Sequence, residues 1–172
     1  MRRAALAALA AAILAAPATA AARGPVNFDL TVGRGAGGVQ LGDSRAEVVD
    51  LLGKPYDENK NGYMQYLPDN ADGIFDVYRF NGAKTSRVRA IGVSDRRFRF
   101  KGTDQRVVGR EVLPWLRQHY GRRVRYEPDE ESGEPWYVVR TRFRGNRTFS
   151  SFSVNRKGRN PRVSMVFLST ER

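Results

Sequence analysis

Gly38-Val-Gln-Leu-Gly-Asp-Ser-Arg-Ala-Glu-Val-Val-Asp-Leu-Leu-Gly-Lys-Pro55 is the stretch whose reading decides the fold. Ser44 and Glu47 stand three apart, the spacing of a capping box. In that motif the serine hydroxyl accepts from the Glu47 backbone N–H, and the carboxylate reaches back to the Ser44 N–H. Val48, Leu51 and Leu52 fall at i, i+3 and i+4 and make one apolar stripe. Gly53 supplies a left-handed stop and Pro55 prevents continuation. A helix over Ser44–Leu52 is too short to stand alone. It must lie on something, and the strand-like runs that follow supply the surface.

Those runs are Tyr63 to Leu67, Ile74 to Phe80, Val88 to Val93 and a short stretch around Phe98 and Phe100, with Asn81-Gly82 as a turn between the second and third. A second helix occupies Val108 to Tyr120 and is closed by Gly121. Pro114 belongs in a first turn, which sets its start near Glu111. Val112, Leu116 and Tyr120 make its stripe. Four more strands complete the chain: Arg123–Glu127, Trp136–Phe143, Thr148–Val154 and Arg162–Ser169. Each half thus reads as a helix closed by glycine and then antiparallel strands, a duplication with half-repeats at about 39–101 and 102–172. The expected fold is α+β: one antiparallel sheet of about six to eight strands with two short helices on one face.

Upstream of this single domain, residues 1–22 read as a signal peptide. Arg2 and Arg3 start it, Ala4 to Ala16 are apolar, and Ala18-Thr19-Ala20 is a small-residue cleavage site, with cleavage after Ala20 or Ala22. The apolar run is too short to span a bilayer. The expected location is secreted or periplasmic. Residues 23–38 read as a flexible segment that contains one short strand-like run, Val26 to Val32. Gly33-Arg-Gly-Ala-Gly-Gly38 matches G-x-G-x-x-G, but a dinucleotide site needs a helix opening directly from the glycines, and Val39 to Gly42 intervene. The chain has no cysteine, so no disulfide and no lipid-modified cysteine. Without the signal it carries 28 basic and 18 acidic residues, a net +10, and arginine supplies most of the positive charge. Such a balance favours anionic partners.

Val39 to Pro55, as Val-x-Leu-Gly-Asp-Ser-x-x-Glu-Val-x-x-Leu-Leu-Gly-x-Pro, resembles the opening helix of the SmpA/OmlA and β-lactamase-inhibitor-protein-like domains. Phe98-x-Phe-Lys-Gly102-Thr-Asp and the Tyr120-Gly121 helix end resemble the second half of that repeat. The likeness covers roughly residues 39–121. It implies a sheet covered by helices and a binding or assembly role without catalysis. The lipid-bearing cysteine of the outer-membrane members and the disulfides of the inhibitors have no counterpart here, and no binding residue transfers position by position.

Residue chemistry points the same way. The lone histidine, His119, sits in the last turn of the second helix, where it complements the dipole rather than serving a nucleophile. Zinc would need clustered histidine or cysteine, so no metal and no cofactor are expected. In Asp69-Asn-Ala-Asp-Gly73 a calcium-loop alignment puts Pro68 at the first ligand position, which leaves a polar turn. Glu127, Asp129, Glu130, Glu131 and Glu134 read as an exposed acidic hairpin loop.

Arginine on the strands carries the functional expectation. Side chains alternate between the faces of a sheet. Val124 and Tyr126 oppose Arg123 and Arg125; Tyr137, Val139 and Phe143 oppose Trp136, Arg140 and Arg142; Val163, Met165 and Phe167 oppose Arg162; Phe98 and Phe100 oppose Arg97 and Arg99. The expected binding face is therefore Arg97, Arg99, Arg123, Arg125, Trp136, Arg140, Arg142 and Arg162, presented to an acidic protein partner by an exported, non-catalytic module. Two other classes stand beside it: a binder of polyanions such as nucleic acid, cell-wall polymer or phospholipid headgroups, and a carboxylate-dependent hydrolase.

Overall fold

The computed structural model of this chain describes residues 27–66, 73–78, 86–128, 135–155 and 161–170. The N-terminal stretch corrects an expectation. Residues 27–38 are not a free lead-in: they fold into β1 (Asp29–Thr31) and β2 (Gly35–Ala36), which with β3 (Val39–Gln40) make two tight hairpins. Leu30, Val32, Ala36 and Val39 are buried, and the glycines of the run turn the chain rather than loosen it.

The capping box forms as its spacing requires. The Glu47 N–H donates to Ser44 Oγ at 3.2 Å and the Ser44 N–H donates to Glu47 Oε2 at 2.6 Å. These bonds hold the Glu47 carboxyl below its usual range. They open helix α1 (Arg45–Leu52), which Gly53 ends at a φ of 80°. Val48 and Leu52 are buried and Leu51 half-buried, so the stripe faces inward along its 48–52 edge.

Behind α1 run β4 (Asp57–Glu58), β5 (Tyr63–Tyr66), β6 (Phe75–Tyr78) and β7 (Ala90–Val93). A short β8 (Arg99–Phe100) then leaves this sheet and pairs in parallel with β1, closing a four-stranded sheet in the order β3-β2-β1-β8. Helix α2 (Leu113–Tyr120) carries Pro114 in its first turn, where the missing N–H has no helical partner to lose. After a 3₁₀ turn at Gly121–Arg123 come β9 (Val124–Pro128), β10 (Pro135–Phe143), β11 (Asn146–Asn155) and β12 (Arg162–Thr170). The main sheet has the order β4-β5-β6-β7-β12-β11-β10-β9, every neighbour antiparallel. Each half runs helix and then four strands, from an outer edge inward, and the halves meet where β7 pairs β12.

One row of directly opposed residues crosses seven of these strands: Tyr126, Tyr137, Phe152, Val166, Val93, Phe75 and Tyr66. Opposed residues share a face. At one end of the row Tyr66 donates to the Gly53 carbonyl at the close of α1. Near the other end Phe152 meets Phe100, whose ring stacks 3.6 Å from that of Trp115 in α2. Both helices therefore cover one face, and the core lies between them and the sheet.

A bulge in β12 breaks the simple alternation. Ser153 faces Met165 while Val154 faces Val163, so Ser164 is an extra residue. Val163 and Val166 consequently both point inward. Met165 and Phe167, expected beside Val163, stand on the outer face instead. The turn at Asn81-Gly82, residues 69–72 of the polar loop and residues 129–134 of the acidic loop lie outside the described residues. No helix among the described residues is long and apolar enough to cross a membrane.

Candidate functional site

The outer face of the main sheet, turned away from the helices, is polarised along its width. At the β5–β6 side lie Tyr63, Asp76 and Tyr78. Both phenols donate to the Asp76 carboxylate, at 3.2 Å and 3.4 Å. Burial pushes the Asp76 carboxyl up, and burial together with that carboxylate pushes the Tyr63 phenol up to about 12. At the β9–β11 side the same face is arginine.

Arg125 of β9, Arg140 and Arg142 of β10 and Arg147 of β11 all occupy the outer phase. Arg142 and Arg147 are directly opposed across the β10–β11 ladder, which sets two guanidinium side chains next to each other on the outer face. Arg140 is steadied by Glu127 at 2.8 Å and by the Phe149 ring, 5.5 Å from its guanidinium carbon.

Pairing with β9 stops at Val124–Val139, so among the described residues β10 has no strand partner on that side from Arg140 onward. A groove of about 790 Å³ opens at this bare edge. Five arginines line it, Arg34, Arg123, Arg140, Arg142 and Arg147, with Tyr120 and Phe149 between them and no carboxylate among its described lining residues. The turn between β1 and β2 delivers Arg34. That turn is pinned where Gly33 crosses β10 and β11: its N–H donates to Ser150 Oγ at 2.7 Å. A Cβ on Gly33 would lie 1.8 Å from Thr141 Oγ1, so only glycine permits the approach. Burial raises the Tyr120 phenol, and the Arg34 charge works against that rise.

The groove and face gather some of the expected residues and release others. Arg125, Arg140 and Arg142 stand together as alternation predicts. Arg123 joins them from the 3₁₀ turn, not from a strand. Trp136 shares their phase but is half-buried, and its indole N–H has no partner among the described residues.

Arg97 does not belong to this face. It lies in the turn after β7, forks onto the buried Asp95 and stacks 4.1 Å over Phe28. Arg99 is in β8 of the smaller sheet, 3.6 Å from Asp104. Arg162 opens β12 at the far end of the sheet and lines a different groove. For Arg97 and Arg99, alternation within a four-residue run cannot tell which sheet a side chain reaches; for Arg162 it gives no account of which end of the sheet the residue lies at. Arg34 and Arg147 were missed. The first sat in a glycine-rich run read as flexible, and the second lies one residue before the expected start of its strand.

His119 stacks on Trp115, ring centroids 4.0 Å apart, with Nδ1 2.8 Å from the Trp115 carbonyl oxygen. Among the described residues no three of His, Asp and Glu gather as a metal would require. No protein family, no curated protein and no solved structure matches the chain.

Proposed function

We propose that this protein is an exported, non-catalytic binding module that takes an acidic protein partner on the arginine end of its sheet. The observation that carries the reading is the groove whose described lining holds five arginines and no carboxylate, beside Arg125 on the outer face. Guanidinium groups set side by side repel one another, yet each presents a fork that matches a carboxylate bidentately. Phe149 and Tyr120 between the charges add the aromatic surface typical of protein-binding hot spots. The resemblance of residues 39–121 to envelope-assembly and inhibitor domains, and a leader of signal-peptide pattern, agree with such a role.

The experiment is capture by immobilised protein from an extract of the exporting cell, beside the triple variant Arg125→Glu, Arg140→Glu, Arg142→Glu. These side chains are exposed, so folding should change by about 0.5 kcal/mol or less per site. The reading expects a captured protein with an acidic patch that the triple variant no longer retains. Equal capture with the same salt dependence overturns it. Capture of nucleic acid or a cell-wall polymer instead, weakening steeply with salt, would establish the polyanion reading.

A further inference from the structure

A second arginine groove, of about 600 Å³, lies at the other ends of β11 and β12. Three segments converge on it: the turn after β7 with Ser94 and Arg96, the loop leading into α2 with Arg106 to Arg110, and the start of β12 with Arg162. Their frame is held by backbone. The Gly109 N–H donates to the Val163 carbonyl at 2.7 Å and the Val163 N–H to the Arg110 carbonyl at 3.0 Å. The Val107 N–H donates to the Phe98 carbonyl at 2.9 Å. Gly109 sits at a φ of 75°, and the Arg96 side chain lies across it.

On this frame stand Arg96, Arg106, Arg110 and Arg162, all exposed. None of their guanidinium groups makes an ion pair or hydrogen bond with another described residue, and the described lining contains no carboxylate. This differs from the first groove, where Glu127 partly neutralises Arg140. Ser94 Oγ already accepts the Ile74 N–H at 2.9 Å, which leaves its proton to give. The charged side chains of the described lining are thus all cationic.

We infer that this second groove is a site for a ligand bearing two or more phosphate groups. Guanidinium groups arriving from three directions suit tetrahedral oxyanions, whose several oxygens satisfy several forks at once; one planar carboxylate satisfies one. Four positive charges match an oligophosphate rather than a single phosphate ion. The site is independent of the first: Phe149 and Asn155, lining one groove each, are six residues apart on β11, about 20 Å at strand rise.

The test is a titration of the ¹⁵N-labelled protein with inorganic tripolyphosphate, and in parallel with cardiolipin vesicles, whose headgroup carries two phosphates. The expected result is saturable shifts at the amides of Ser94, Gly109, Arg110 and Val163 and at the arginine Nε–H groups. The pair Arg106→Glu with Arg110→Glu should weaken binding about tenfold or more, the loss of at least one charge-assisted contact. The pair Arg140→Glu with Arg142→Glu should leave it within about twofold, since distant charges are screened. Arg106→Gln with Arg110→Gln should act in the same direction to a smaller extent. Vesicle binding lost in the first pair makes the phosphate a lipid headgroup; tripolyphosphate binding without vesicle binding makes it a soluble ligand. Shifts that never saturate, or affinity unchanged in the first pair, overturn the site.

Discussion

Arg97 holds the carboxylate of Asp95, a group with no solvent exposure, through Nη2 at 2.9 Å and Nε at 3.2 Å. The Arg97 N–H also donates to Asp95 Oδ1 at 2.7 Å. Replacing Arg97 by Met removes the guanidinium from Asp95 and from the Phe28 ring and strands a buried charge. Urea unfolding of Arg97→Met should show a loss of about 3–5 kcal/mol. The double variant Asp95→Asn with Arg97→Met should recover much of it. A loss near zero in the single variant would mean that water reaches Asp95.

The core makes a graded prediction along α1. Leu52→Ala and Leu116→Ala remove side chains with no exposure and should each cost about 2–5 kcal/mol. Leu51 is half-buried, and Leu51→Ala should cost distinctly less than Leu52→Ala. Equal losses would mean that α1 is rotated about its axis from the orientation described.

Gly33 and Gly145 separate steric exclusion from backbone strain. Both have positive φ, 72° and 80°, but a Cβ on Gly145 meets nothing within 4 Å. Gly145→Ala should cost about 1–2 kcal/mol, the strain of a left-handed residue. Gly33→Ala adds a collision with Thr141, and overpacking of this kind adds about 1–3 kcal/mol. Thermal melts of the two variants check the order. If Gly33 tolerates alanine as well as Gly145 does, the β1–β2 turn is not seated on β10 and Arg34 is not fixed in the groove.

Asp76 predicts a pH dependence. Burial raises its folded-state pKa above the unfolded value of about 3.9. The protonated acid is therefore the form that folding prefers. Its contribution is fully present below the unfolded pKa and is lost as pH rises through the folded one. Asp76→Asn removes that loss and keeps one acceptor for Tyr63 or Tyr78. Its melting temperature should exceed the parent's at pH 7 and match it near pH 3. A lower melting temperature at pH 7 would show that the two phenol bonds outweigh the desolvation.

What could be read from the residues was what they settle locally. Ser44 and Glu47 act three positions apart and the Gly53 N–H reaches back four to Val49, so α1 was legible to its last turn, and clean alternation gave the faces of β9 and β10. What escaped depends on partners far along the chain. Leu30 finds its place beside Phe100, about seventy residues on, so the glycine-rich run before α1 looked like a tether. The extra residue at Ser164 exists only relative to Ser153 and Val154, and no pattern inside β12 reveals it. Arg97 looked like its strand neighbours until Asp95 drew it inward. The arginine groove was half legible: the strand arginines followed from period two, whereas Arg34 depends on a crossing that only Gly33 permits.

The seam between β7 and β12 sets an order of events during synthesis. β12, the last of the described strands, is central in the sheet and not an edge. Until it is made, β7 offers Ala-Ile-Gly-Val with one side unpaired, a stretch without charge and with no proline to discourage another strand. Roughly seventy residues separate the two strands, which at ordinary translation rates is about 4–14 seconds. For that interval the first half of the molecule is adhesive, and whatever shields Ala90–Val93 decides whether a nascent chain finds its own end or a neighbour's.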